Sequence, residues 1–141
     1  MDQITYVESA EGVDWDYLKA ELAADQFDNG RTAEQLQESS MNSAATCFAY
    51  EGTRIVGTAR ALSDRVCNAY LLDIWTLSRL RRKGIARSMV QRILAGMEGQ
   101  HVYLFTDDAQ GFYEKLGFQP QGTGLGLVVG QWLKPTENDL Q

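Results

Sequence analysis

The spacing of apolar residues along this chain changes several times, and each change marks an element. "ITYVES" predicts a short opening strand. In "VDWDYLKAELAADQF", Trp15, Leu18 and Leu22 share one helical face and Asp14 can cap it, which predicts a first helix. "DNGR" is a turn signal. Thr32 with Gln35 then forms the pattern of a capping box, so a short second helix is expected through "AEQLQESSM". "ATCFAYEGTRIVGTARAL" holds two β-rich runs around "YEGTR", where Gly52 takes a positive φ at little cost, and this predicts a hairpin. "VCNAYLLDIWTL" predicts a third long strand. Over "GIARSMVQRILAGM", Ile85, Met89, Ile93 and Met97 recur at four-residue steps, and Val90 and Leu94 widen the same face, as expected of an amphipathic helix. "HVYLFT" predicts another strand, "DAQGFYEKLG" a short helix stopped at Gly117, and "GLGLVVGQWL" a last strand closing the sheet. "KPTENDLQ" is a polar tail with little to bury.

The order is strand, two helices, three strands, helix, strand, helix, final strand. It predicts the α/β class: a mixed β-sheet with about four helices on its faces. One domain is expected over 1–134, with a tail at 135–141. The chain has 141 residues, 44% hydrophobic and 23% charged, enough for one sizeable core. Cys47 and Cys67 lie in apolar, strand-like surroundings without metal-ligand spacing; they are expected to be reduced core residues in a cytoplasmic setting, and no metal site is expected. The N-terminus shows no basic stretch followed by an apolar segment, and no apolar run approaches bilayer length, so no membrane partner is expected.

The net charge of −6 disfavours a general nucleic-acid surface. Its distribution is uneven. Six of the thirteen Lys and Arg residues (Arg79, Arg81, Arg82, Lys83, Arg87 and Arg92) fall within fourteen positions that hold no Asp or Glu. Such a run is either the solvated face of a helix or the seat of a compact anion. A strand ending at Leu77, a basic turn and a helix beginning near Gly84 would gather free backbone N–H groups and a positive helix end at one place, which is a phosphate-binding arrangement. Neither a Walker loop nor a dinucleotide fingerprint is present, and the glycines of "GTGLGLVVG" are read as structural because no amphipathic helix follows them.

With those residues in view, "DIWTLSRLRRKGIARSMVQRIL" resembles the acyl-CoA motif of GNAT-type N-acetyltransferases, here in the form Arg81-x-x-Gly84-x-Ala86. The resemblance implies the GNAT acyl-CoA N-acyltransferase fold with a splayed sheet. It also implies acetyl-CoA as co-substrate. Backbone groups of Ile74, Trp75 and Thr76 would meet the pantetheine arm, and the turn from Arg81 through Arg82, Lys83, Gly84, Ile85 and Ala86 to Arg87 would hold the pyrophosphate. "DAQGFYEKLGF" is similar to the family's A-x-x-F-Y-x-K-x-G-F signature through Ala109, Phe112, Tyr113, Lys115, Gly117 and Phe118. By that analogy Tyr113 is the general acid, and Asp107 and Phe112 flank the cofactor. Three positions depart from the family pattern: Ser78 replaces a proline, Thr106 an asparagine and Ala86 the second glycine. "HVYLFTDDAQGFYEKLGFQPQGTG" and "ARALSDRVCNAYLLDIWTL" are further similar to the plant and cyanobacterial serotonin N-acetyltransferase-like branch and its small bacterial relatives.

The reaction so implied needs a base, because an alkylamine arrives protonated. Asp73 is a candidate; a structural hydrogen bond is its alternative role. His101 and Glu114 are expected at the surface. Phe27, Asp28, Tyr50 and Arg60, with Trp75, are candidates to line an acceptor pocket between the first two helices and the CoA strand, or else to pack the core. The reading is acetyl transfer to a primary amine, an arylalkylamine among the options, and a homodimer is allowed for. Its rivals are a protein lysine or N-terminal amine as acceptor, a non-catalytic acyl-CoA-binding module, and a nucleic-acid role for the basic turn.

Overall fold

The computed structural model describes residues 3–134; the expected polar tail lies outside them. The elements run β1 (Ile4–Val7), α1 (Trp15–Ala24), α2 (Ala33–Met41), β2 (Ala45–Glu51), β3 (Arg54–Ser63), β4 (Asn68–Thr76), a 3-10 turn (Ser78–Leu80), α3 (Ile85–Ala95), β5 (His101–Tyr103) and α4 (Gln110–Lys115). The expected caps are formed. Asp14 accepts from the backbone N–H of Tyr17, and Thr32 and Gln35 make the reciprocal bonds of a capping box. Gly52, at φ 62°, turns β2 into β3.

The five strands form one sheet in sequence order, β1-β2-β3-β4-β5, with the first three pairings antiparallel and the last parallel. Successive strand residues face opposite sides, and the two sides carry different helices. Phe48 meets Trp15 of α1 edge-on, with ring centroids 6.0 Å apart. On the other side, α3 lies against Ala49 and Gly57. A Cβ added at Gly57 would come within 3.0 Å of the Met89 methyl and 3.2 Å of the Ala49 Cβ, so the missing side chain lets α3 sit close to the sheet. Met89, Val90, Ile85 and Ile93 are buried, as their spacing predicts.

Two irregularities in β4 shape its surroundings. Arg60 pairs with Leu72 and Thr58 with Trp75, so Ala59 alone opposes both Asp73 and Ile74, a β-bulge. Asp73 takes φ 53°, a conformation uncommon outside glycine but less so for Asp. It is held there by Thr58, whose hydroxyl donates to the Asp73 carbonyl at 3.0 Å. Secondly, β5 pairs with β4 only from Asn68 to Tyr70, so beyond Tyr70 the β5-facing edge of β4 has no strand partner among the described residues.

Two expectations are corrected. No strand follows α4 among the described residues: Leu125, Leu127 and Val129 stand 87–90% exposed. The glycines at 122, 124, 126 and 130 explain this. They give little side chain to bury, Gly122 and Gly130 adopt positive φ, and β5 is too short to template another strand. Cys47 is buried as expected, but Cys67 lies exposed in the turn before β4. Both thiols are unbonded.

Candidate active site

The basic turn is built by Asp25 at the end of α1. Its Oδ2 accepts from the Trp75 indole at 2.8 Å and from the Ser78 backbone N–H at 3.1 Å, and lies 3.8 Å from Arg81 Nη2. Burial alone would raise its pKa, but these partners outweigh burial and hold it below the usual carboxylate range. Ser78 can donate here because its backbone has the N–H that a proline lacks. Arg81 is anchored further by a bond from Nε to the Thr76 carbonyl at 3.3 Å, and Arg79 pairs with Glu51 at 2.8 Å. Arg82, Lys83 and Arg87 remain exposed, with no ion pair among the described residues.

Between these cations the chain enters α3 through Gly84 at φ 84°, a left-handed cap with no side-chain hydrogen bond. The first N–H groups of the helix therefore lack intrahelical acceptors, and a Cβ placed on Gly84 would meet nothing within 4 Å. Open space, free amides, a positive helix end and three uncommitted cations coincide there, which fits a diphosphate. The edge of β4 that β5 leaves open runs toward the same point. Ile74 is half-buried, while the Trp75 and Thr76 side chains are buried, so these residues would meet a ligand through their backbone.

Tyr113, on α4, lines a cavity beside β5 and the segment that follows α4. Its ring is 9% exposed and packs edge-on against Phe112 at 4.9 Å and Phe118 at 5.9 Å. Burial, with a smaller contribution from the charge of Asp108, pushes its pKa up to about 12. The phenol thus keeps its proton through the neutral range. A cavity of about 570 Å³ runs from Tyr113 along β5 to Gly124. Phe112 is half-buried against Tyr113, and Asp107 is exposed on the loop before α4.

A second cavity, of about 610 Å³, lies on the other side of Phe105, between the α1–α2 loop, α2 and β4. Phe105 lines both and meets Tyr70 edge-on at 5.9 Å. Within the second cavity, Asp73 Oδ2 receives Arg31 Nη1 at 2.6 Å and Arg60 Nε at 2.8 Å. Arg31 Nε is fixed by Asn29 at 2.6 Å and Arg60 Nη1 by the Ser43 hydroxyl at 3.2 Å. Burial pulls the Asp73 pKa upward, but the two guanidiniums prevail and hold it below the usual range. A carboxylate so occupied is a poor proton acceptor, and its geometry is that of the structural alternative.

Asp73→Ala should destabilise the fold by about 3 kcal/mol, because it leaves two largely buried guanidiniums without their partner. In the native chain the same contribution is complete above the unfolded pKa of Asp and fades as pH falls through the lowered folded value. The gap between the thermal melts of wild type and variant should therefore narrow as pH falls from 7 to 3.

Of the five expected pocket residues, Arg60 lines the second cavity, Phe27 lines a small adjoining one of about 20 Å³ with Arg31 and Asp73, and Trp75 is buried and lines none of these cavities. Asp28 pairs with Lys19 at 2.6 Å, and Tyr50 sits half-buried in β2; neither lines these cavities. Sequence reasoning missed Arg31, Tyr70, Phe105 and Trp132. Arg31 stood inside a turn signal, although a cation beside "DNG" followed by a capped helix marks a loop end held in place. Trp132 belongs to the segment expected as a strand; its indole donates to the Asn29 carbonyl at 3.0 Å and ties this residue to the α1–α2 loop. His101 and Glu114 are exposed as expected, and His101 Nδ1 bonds the Tyr103 hydroxyl at 2.8 Å.

A mixed sheet whose parallel pair separates beside an amide-rich, cationic helix start defines the acyl-CoA N-acyltransferase class of fold. The chain belongs to the GNAT acetyltransferase family: the family's acetyltransferase (GNAT) domain model matches residues 42–120. Solved structures agree on the fold. A GNAT-family acetyltransferase from Streptococcus pneumoniae is 24% identical, with 92% of this chain and 100% of that one covered and a TM-score of 0.76. A Staphylococcus aureus protein of unknown function, described as a probable acetyltransferase, is 18% identical over 90% of this chain and 100% of its own, with a TM-score of 0.78. Glucosamine-6-phosphate N-acetyltransferase from Arabidopsis thaliana is 18% identical over 90% and 99%, at a TM-score of 0.69. Comparison with the curated proteins gave no match. Members of this family use acetyl-CoA as co-substrate. Among the described residues no cluster of His, Cys, Asp and Glu is arranged to hold a metal ion, and no helix is long and apolar enough to cross a membrane.

Proposed function

We propose that this chain transfers the acetyl group of acetyl-CoA directly to a primary amine on a small molecule. The observation that carries the reading is Gly84: a left-handed residue with open space before it, at a helix start flanked by exposed cations, where β4 ends without its β5 partner. The arm of the cofactor would lie along the backbone of Ile74, Trp75 and Thr76. Its diphosphate would lie on the amides and cations from Arg82 to Arg87, with Arg81 bracing the turn.

In the reaction, the free-base amine nitrogen attacks the thioester carbonyl carbon. The C–N bond forms, the C–S bond breaks, and the electron pair stays on sulfur. The proton lost by nitrogen is balanced by the one the thiolate takes up, which leaves an amide and free coenzyme A. Tyr113, neutral and largely desolvated, supplies a hydrogen bond to the departing sulfur. Because Asp73 is engaged by two arginines, solvent in the second cavity is the acceptor for the amine's first proton.

Tyr70, Phe105 and Trp132 around the second cavity support an aryl-bearing small amine, as does the likeness to the serotonin N-acetyltransferase-like branch. Trp132 over the α1–α2 loop narrows the approach, which favours a small molecule over a protein lysine or N-terminus. The unbonded state of both thiols suits a cytoplasmic setting. An assay of thiol release with acetyl-CoA and a panel of primary amines tests the proposal. Release with at least one amine is expected; tight acetyl-CoA binding with no release across the panel would favour a non-catalytic acyl-CoA sensor.

A further inference from the structure

The second cavity carries a charge that acetyl transfer to a simple amine leaves unused. Arg31 and Arg60 have side chains only 8% and 13% exposed, and both donate to a single oxygen, Asp73 Oδ2. Two guanidiniums against one carboxylate leave one positive charge in surplus. Buried charges are ordinarily paired, and here the pairing is incomplete on the cavity's own floor. The other carboxylate lining the cavity, Glu38, is exposed on α2 at the rim, where water screens it. The remaining polar lining, such as Gln35 and Asn42, is neutral.

We infer that the acceptor carries an anionic group beside its amine and that Arg60 and Arg31 receive it. The inference rests on the acetyl-transfer reading and narrows the substrate to amines bearing a carboxylate or a phosphate-like group. An amino acid with an aryl side chain is the simplest example. Guanidinium groups match such planar or tetrahedral oxyanions, and with Nε and Nη1 of both arginines already engaged, the two Nη2 groups, which have no hydrogen-bond partner among the described residues, give a two-point seat. Position supports the assignment as well. Asp73 adjoins Ile74, where the cofactor arm is expected, so the arginines that hold Asp73 face the same stretch of β4 as the expected thioester. The overall negative charge of the protein attracts cations from a distance, but at contact the local guanidiniums decide. A plain arylalkylamine, carrying only its ammonium, meets a like charge there.

The test compares kcat/KM for acetylation of L-phenylalanine, phenethylamine, L-phenylalaninamide and 1-amino-2-phenylethylphosphonate, which share the aryl ring and the amine. The acid, the phosphonate or both should exceed phenethylamine and the amide by at least tenfold, and the better of the two identifies the anion. Arg60→Gln removes the surplus charge and leaves the Arg31–Asp73 pair; it should shrink that ratio at least tenfold, mainly through KM. Phenethylamine or the amide used as well as the anionic compounds would overturn the inference while leaving acetyl transfer intact. Should none of the four be acetylated, calorimetric titration into CoA-saturated protein decides: binding of an anionic compound alone supports the inference, and equal or absent binding of all four overturns it. Failure of acetyl transfer itself shows separately, as absence of thiol release with every amine of the wider panel.

Discussion

Gly84→Glu should reduce acetyl-CoA affinity at least a hundredfold, a loss of about 2.8 kcal/mol or more in binding free energy. Two causes act together. Gly84 sits at φ 84°, where any L side chain costs about 1–2 kcal/mol, so the cap distorts and the first amides of α3 turn from their common focus. The new carboxylate would also project into the open space before the helix, where nothing lies within 4 Å of a Cβ and where the diphosphate is expected. It would take the place and the hydrogen bonds of the phosphate while repelling it. Gly84→Ala separates the causes, since it imposes the backbone cost without the charge. We expect a loss of about tenfold for it, read by calorimetry, with thermal melts to confirm folding. Unchanged affinity in Gly84→Glu would remove the turn from the cofactor site.

Tyr113→Phe should lower kcat about a hundredfold and change acetyl-CoA affinity by no more than about twofold. The ring stays and keeps its edge contacts with Phe112 and Phe118, so packing is preserved. Only the hydroxyl is lost, and its hydrogen bond matters when the sulfur carries negative charge. The pH profile separates this role from a structural one. The native phenol titrates at about 12, so wild-type kcat should show no alkaline decline from this group up to about pH 10. In the variant, the leaving-group effect should become more pronounced: thioesters whose thiols are more acidic should recover part of the lost rate. Equal turnover of Tyr113→Phe and wild type would end the acid assignment.

Much of this site is legible in the amino-acid sequence. The four-residue recurrence of Ile85, Met89 and Ile93 defines α3 because one buried stripe has one helical solution, and the basic run before Gly84 can then only fall at the helix start. Tyr113 is legible for a different reason, its place in a short motif. What the residues alone do not give is tertiary pairing. Asp73 has the chemistry of a candidate base, but the bulge turns it toward Arg31, a partner 42 positions away. Arg31 itself is hidden in a turn signal. The segment around Gly124 misleads in the opposite direction: its leucines and valines have strand propensity, but glycines alternate with them and no adjacent strand is long enough to hold them. Asp28 and Tyr50 are plausible by residue type, yet an ion pair to Lys19 and a place in β2 put them away from the cavity lining.

Titrating acetyl-CoA into the well-folded wild-type chain by calorimetry bears most directly on the claim that the start of α3 and the open edge of β4 seat a diphosphate carrier. We predict one saturable site per chain, with affinity on the order of micromolar and displacement by free coenzyme A. No measurable heat and no thermal stabilisation at millimolar acetyl-CoA would contradict it.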